Sequence, residues 1–311
     1  MARERDRQVS LVQLESLNAA ACGQRHQRHT GRRAPAHPCY VCSVARTLLV
    51  VHAHPDDETI ATGGTLARYA AEGVRTTVVT CTRGELGEGA DADMGAVRQA
   101  ELEAAAQVLG VGRLVALGYG DSGMPNSPTN HRPGAFFAAN LDEAAARLLE
   151  IIHEEQPQVV VSYDETGGYG HPDHVKAHQV TLAACAQARV PKLYFIRIPL
   201  GWSRRFVAAL RAAGIDAPGS APTGADAGPA VNEVGVPDEQ VTTLLDVRAY
   251  VEVKRQALAC HRSQMPPEHF LMRMPPDLAS SLWAHEFFSR AAGPTSARPG
   301  EIETDLFDGL S

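Results

Sequence analysis

Apolar positions along the chain fall into short, β-branched runs separated by longer stretches of helical period. Residues 47–52 (TLLVVH), 76–81 (TTVVTC), 114–117, 159–162 (VVVS) and 192–198 read as strands. Between them, residues 62–73 read as a helix closed by Gly73, a residue suited to a C-terminal cap. Residues 96–109, 136–155 and 172–188 read as further helices, with Pro157 ending the second of these. Beyond residue 200 the pattern predicts a strand over 241–246, a helix over 247–261 and a last short helix over 283–290. Strands that alternate with helices imply an α/β fold, Rossmann-like, with a mostly parallel sheet and helices on both faces. A smaller C-terminal lobe is expected in addition. The predicted division is an N-terminal extension over 1–45, a catalytic α/β domain over 46–200, and a C-terminal part over 201–311. That last part holds a Pro/Gly-rich linker near 216–230 and is expected to complete the fold and the substrate pocket.

Composition narrows the class. The 311 residues are 44% hydrophobic and 21% charged, ordinary values for a soluble globular enzyme with room for a large core. No apolar run approaches the roughly 18 residues of a membrane helix. The net charge of −7 argues against a nucleic-acid partner. The first 46 residues depart from the rest, with eight arginines against three acidic residues. Arg32-Arg33 is followed by no apolar stretch, so no secretory signal is read there. Cys39-x-x-Cys42 beside His37 has half the spacing of a zinc knuckle, but no nearby second pair completes it, and the segment reads as disordered. Six cysteines scattered through a long chain make no disulfide framework, which points to the cytoplasm. Nothing in the pattern speaks to oligomeric state.

The chemistry concentrates where two strands should end. After the first strand comes AHPDDE, with His54 and Asp57 three apart, so that one helical turn aims both side chains the same way. Alone, HPDD reads equally as a charged turn capping a helix. After the fourth strand comes YDETGGYGHPDH, where His171 and His174 repeat the spacing behind a glycine-rich turn. Two such clusters, each just past a buried strand, point to a mononuclear metal site in the crevice beyond the strand ends. His54, Asp57 and His174 would supply three protein ligands and leave one position for water. Asp56 remains as a candidate base.

The pairing of AHPDDE with GGYGHPDH resembles the PIG-L/LmbE-like family of metal-dependent N-acetylglucosamine deacetylases. Within it the chain is most similar to the branch that deacetylates N-acetylglucosaminyl-inositol in mycothiol biosynthesis. VVTCTRGELGE, GDSGM and the closing ETDLFDGL are shared as well. The resemblance implies one divalent ion, Zn2+ before Fe2+, since two histidines and an aspartate accommodate both. It implies a small amino-sugar substrate and an amide hydrolysis in which Asp56 takes a proton from water. His171 would donate a proton to the departing amine or stabilise the oxyanion. Asp173 would fix the tautomer of His171, and Tyr169 would present its hydroxyl to the tetrahedral intermediate. Glu88, Arg98 and Asp121 match positions that contact sugar and inositol hydroxyls in the inositol-sugar branch. Two relatives within the family remain as alternatives, a mycothiol S-conjugate amidase and a deacetylase of a sugar-bearing natural product. The amidases carry a lysine shortly after the acidic motif, where this chain has Ile60-Ala61-Thr62. A non-catalytic sugar-binding module is the alternative from another class, and the intact ligand set speaks against it. His52 reads as strand packing, His261 is unassigned, and the pairs Phe136-Phe137 and Phe287-Phe288 read as core or lid.

Overall fold

The computed structural model describes residues 45–89, 93–216 and 234–310. Cys39, Cys42 and the rest of the N-terminal extension lie outside the described residues, as does nearly all of the 216–230 linker.

Seven strands form one sheet in the order β3-β2-β1-β4-β5-β7-β6. They are β1 (Thr47–His52), β2 (Arg75–Thr82), β3 (Arg113–Tyr119), β4 (Val159–Ser162), β5 (Lys192–Arg197), β6 (Thr243–Asp246) and β7 (His285–Ala292). The first five run parallel, while β7 is antiparallel to both β5 and β6. The helices that cover them are α1 (Asp57–Ala71), α2 (Met94–Leu109), α3 (Leu141–Glu155), α4 (Pro172–Ala188), α5 (Leu200–Ala212), α6 (Val251–Leu258) and α7 (Pro276–Leu282). Every residue of β1 and of β4 is buried, which explains why both read as unbroken apolar runs. Their side chains alternate between two cores. Leu49, Val51 and Val160 pack with α3 and α4 on one face. Leu48, Val50 and Val161 pack with α1, α2 and α6 on the other.

The chain crosses outward from β1 to β2 and β3, then returns to place β4 on β1's other side. The carboxyl ends of β1 and β4 therefore flank the point where strand order reverses, the usual crevice for ligands in such sheets. Both histidine-bearing clusters of the sequence leave the sheet there.

Three sequence expectations need correction. Residues 283–290 are not a helix; the segment from His285 on is β7, paired with β5 and β6. Its helix-like composition yields to the two open strand edges it joins. The helix expected from residue 136 starts at Leu141, because the Asn140 side chain accepts the N–H groups of Asp142 and Glu143 and caps it. The helix expected over 247–261 is shorter, with a 3-10 turn at Arg248–Tyr250 ahead of α6. The sheet also continues past residue 200 through β6 and β7. Beyond it, Phe206, Leu210, Met265, Met274 and Trp283 gather a separate apolar cluster around α5, α6 and α7.

The closing motif fastens this added edge. Glu303 is buried and accepts from Arg290 at 2.6 Å, Thr243 at 2.7 Å, Tyr194 at 3.0 Å and Lys192 at 3.3 Å. It thereby joins β5, β6 and β7. Glu303→Ala leaves Lys192 without its carboxylate and is expected to cost roughly 3–5 kcal/mol. Urea unfolding of the variant measures this directly, and an unchanged midpoint would refute the role.

Candidate active site

β1 delivers His54 two residues past its end, and α1 begins at Asp57, so the turn between them is short and stiffened by Pro55. The Asp57 Oδ2 atom accepts the His54 backbone N–H at 2.9 Å. The same oxygen lies 3.3 Å from His54 Nδ1 and 3.4 Å from His174 Nε2. From the β4 side, His171 caps α4, with Pro172 in its first turn. Gly167, at φ 65°, packs against the backbone of His174, where a Cβ would come within 2.7 Å of the His174 Cβ. This glycine lets the loop fold flat over the histidine.

Hydrogen bonds set the tautomers of these rings. His174 Nδ1 faces the Gly167 carbonyl at 3.1 Å, and a carbonyl only accepts, so Nδ1 carries the proton. Nε2 is then left with its lone pair, buried and with no hydrogen-bond partner. His54 Nε2 faces Asp173 Oδ2 at 3.2 Å, which turns Nδ1 toward Asp57 and His174. Donor atoms held about 2.0–2.1 Å from a tetrahedral ion sit about 3.4 Å apart, which the two separations at Asp57 Oδ2 match. A carboxylate oxygen at that spacing from an orphaned imidazole nitrogen on one side and a second imidazole nitrogen on the other fits a divalent metal ion. His54, His171 and His174 also offer ring nitrogens within 4.8 Å of one another, and a His54 ring nitrogen lies equally close to carboxylate oxygens of Asp121 and Asp173.

The adjacent carboxylates are driven apart. Burial opposes the charge of Asp57, yet His174 and His54 outweigh it and hold the group well below the usual carboxylate range. Burial and the Asp57 charge raise Asp56 to about 7, with Arg98 pulling the other way. Such divergence between neighbours sets one group up as ligand and the other as base. Burial lowers His171 to about 3, and the neighbouring His54 and His174 add to the effect. His171 Nδ1 accepts the Asp173 N–H at 3.2 Å, so the neutral ring carries its proton on Nε2. Of the two roles foreseen for His171, oxyanion stabilisation fits this form. Burial opposes protonation of His54, but Asp173 and Asp57 raise it to about 10.

Several sequence-derived roles change. The Asp173 carboxylate orients His54, not His171, because α4 turns it back under the first motif. Arg98 is buried and donates to Asp56 Oδ2 at 3.1 Å, to Gly84 O at 2.7 Å and to Pro55 O, so it braces the base instead of standing open to a sugar. Asp121 is buried too, accepting from Gly123 N at 2.8 Å and Leu86 N at 3.2 Å, with His54 Nε2 3.7 Å away. Glu88 is exposed, and its backbone is tied to Gln264. Tyr169 is 43% exposed, with its ring 5.1 Å from that of His174. It also borders an apolar cavity of about 430 Å³ lined by Ile60, Trp202, Phe206, Trp283 and Phe287. Of the aromatic pairs, Phe136 and Phe288 are core and Phe137 is exposed. His52 packs as expected, bonded to Thr62 and Tyr163.

One contributor escaped the sequence reading. Tyr163 stacks on the His174 ring at 4.2 Å and 17°, and its hydroxyl accepts the Ala53 N–H at 2.9 Å. Its place at the end of β4, level with His52, is the signal that would have found it.

Residues 49–185 match the family described as PIG-L: GlcNAc-PI de-N-acetylase. A protein of Thermobifida fusca (strain YX) is 44% identical over 290 residues, covering 84% of this chain and 99% of the relative. It is named 1D-myo-inositol 2-acetamido-2-deoxy-alpha-D-glucopyranoside deacetylase. The chain belongs to the PIG-L family. A second relative of the same name, from Acidothermus cellulolyticus, is 42% identical over 284 residues, covering 86% of this chain and 96% of its own. Among solved structures, the N,N'-diacetylchitobiose deacetylase from Pyrococcus horikoshii aligns with a TM-score of 0.52 at 21% identity. It covers 79% of this chain and 84% of that one, and it shares the fold. The PIG-L match contains both histidine clusters and the strands that carry them.

The ligand role expected of His174 and the donor role expected of His171 predict different outcomes. His174→Ala is expected to abolish metal binding, measured by elemental analysis of purified protein, with its circular dichroism unchanged. His171→Ala is expected to retain metal at the wild-type level. Equal loss in both variants would make His171 a ligand.

Proposed function

We propose that this protein is a metal-dependent hydrolase that removes the N-acetyl group from N-acetylglucosaminyl-inositol, a step of mycothiol biosynthesis. What carries the reading is similarity of more than two-fifths identity, over nearly the whole length of relatives bearing that name, together with both histidine motifs intact. His54, Asp57 and His174 hold the ion, for which Zn2+ suits the donor set and Fe2+ is the alternative. When bound, the metal supplies Lewis-acid polarisation and lowers the pKa of water.

The chain's own groups do the rest. Asp56 takes the proton of the attacking water, and at a pKa near neutrality it can pass that proton on to the departing amine. The Nε2–H of His171 bonds the oxygen on which negative charge develops. Tyr169, at the mouth, adds a second donor there. Glu88 stands exposed on the loop after β2, where it reaches the hydroxyls of the sugar or inositol. Arg98 and Asp121 serve recognition indirectly, by bracing Asp56 and the GDSGM loop. Among the described residues no helix is long and apolar enough to cross a membrane. Free thiols at Cys81, Cys185 and Cys260 suit the cytoplasm, where the substrate is small and diffusible.

Released acetate, measured across N-acetylglucosaminyl-inositol, free N-acetylglucosamine and a mycothiol S-conjugate, tests the substrate. The inositol glycoside is expected to give the highest kcat/KM, and preference for the S-conjugate would overturn the reading in favour of the amidase.

The base makes a separate prediction. A general base works only when deprotonated, so the rate should fall as pH drops below the pKa of Asp56. That limb is expected at or below about 7, since a bound cation favours the carboxylate further. Asp56→Asn should lower kcat by roughly 10²–10⁴ with metal retained. A variant with wild-type turnover would remove Asp56 from the mechanism.

A further inference from the structure

Asp56 is held in a backbone conformation that its residue type avoids. Its φ of 107° and ψ of −33° lie outside the left-handed helical well. The other non-glycine residues with positive φ among those described, Asn126, Gln156 and Arg189, stay between 47° and 65°. Strain of this kind persists only where the surroundings over-determine it. Here the surroundings are visible on both sides. On one side Arg98 grips the Pro55 carbonyl and Asp56 Oδ2. On the other, Glu58 Oε2 accepts the Asp56 backbone N–H at 2.9 Å.

Glu58 needs a partner of its own. Its side chain is fully buried, and a carboxylate without water must be paired. His261 Nε2 meets Glu58 Oε1 at 2.9 Å, and the Thr59 hydroxyl donates to the same oxygen. His261 is itself fully buried and comes from the turn after α6, 203 residues away in sequence. The backbone there is stiff, since the His261 carbonyl accepts from Gln264 at 3.1 Å and Met265 at 2.7 Å. A chain of contacts thus runs from that turn through His261 and Glu58 to the main chain of Asp56.

We propose that His261, acting through Glu58, is a positioning residue that holds Asp56 in the strained conformation from which its carboxylate reaches the attacking water. This rests on the reading of Asp56 as the base. Without the contact, the turn relaxes toward an ordinary conformation and the carboxylate swings away from His54 and Asp57, which flank it and are anchored separately, His54 by Asp173 and Asp57 by its contacts with His54 and His174.

The test compares His261→Leu with His261→Gln, whose amide nitrogen stands near the imidazole Nε2 and still donates to Glu58. His261→Leu is expected to lower kcat roughly 10- to 100-fold, the scale of an ångström's misplacement, with KM within about twofold and metal content unchanged. His261→Gln should recover most of that loss. Should the leucine variant fail to fold, His261→Asn, polar but too short to reach Glu58, takes its place with the same expectations. In an Asp56→Asn background either change should cost nothing further, because the positioned group is gone. Wild-type kcat in His261→Leu, no rescue by glutamine, or an equal loss in the Asp56→Asn background would each overturn the proposal. Wild-type turnover in Asp56→Asn alone would instead strike at the base on which it rests.

Discussion

The oxygen of Asp57 that lies between His54 and His174 is the contact on which the rest depends. It joins the end of β1 to the loop after β4, the two strands that flank the reversal of the sheet. Each partner is nearly withdrawn from water, so the three groups must satisfy one another or an ion between them. Around this point the supporting contacts make sense as a set. Asp173 turns His54, the Gly167 carbonyl turns His174, and Tyr163 stacks on its ring. The first two turn the opposite ring nitrogen of each histidine toward the Asp57 oxygen.

The same burial produces two different carboxylates from neighbouring residues. Asp57 has two imidazoles within reach and stays ionised. Asp56 has a single guanidinium, and its own neighbour's charge works against it. A carboxylate held ionised and one pushed up to about 7 therefore arise side by side without any difference in residue type. Arg98 illustrates the cost of a buried site. A residue whose family position suggests contact with substrate is taken up inside, where it grips the strained turn.

Farther from the buried centre the site opens onto loops. The fold recurs in a solved deacetylase at 21% identity, where likeness of fold says nothing of substrate. Glu88 and Tyr169 stand exposed near the site, and beyond Tyr169 lies the apolar cavity. These segments are exposed, so packing constrains them least and chemistry is free to vary there.

The sequence by itself determined the strands of the parallel half and the helices between them, and it singled out the histidines and aspartates that the fold gathers at one point. A strand covered on both faces must be apolar throughout, so β1 and β4 announce themselves. Residues three apart could be paired without coordinates, and His54 does meet Asp57, though across the turn ahead of α1 and not on a helical turn. Local signals of this kind reach only a few residues. They missed β7, whose strand form comes from the edges of β5 and β6, and they joined Asp173 to His171, its near neighbour, when the fold brings it to His54, 119 residues distant. Glu58 and His261 are invisible as a pair for the same reason. Tertiary structure alone decided which buried charge meets which, because that is set by distance through space, and a linear sequence carries no measure of it.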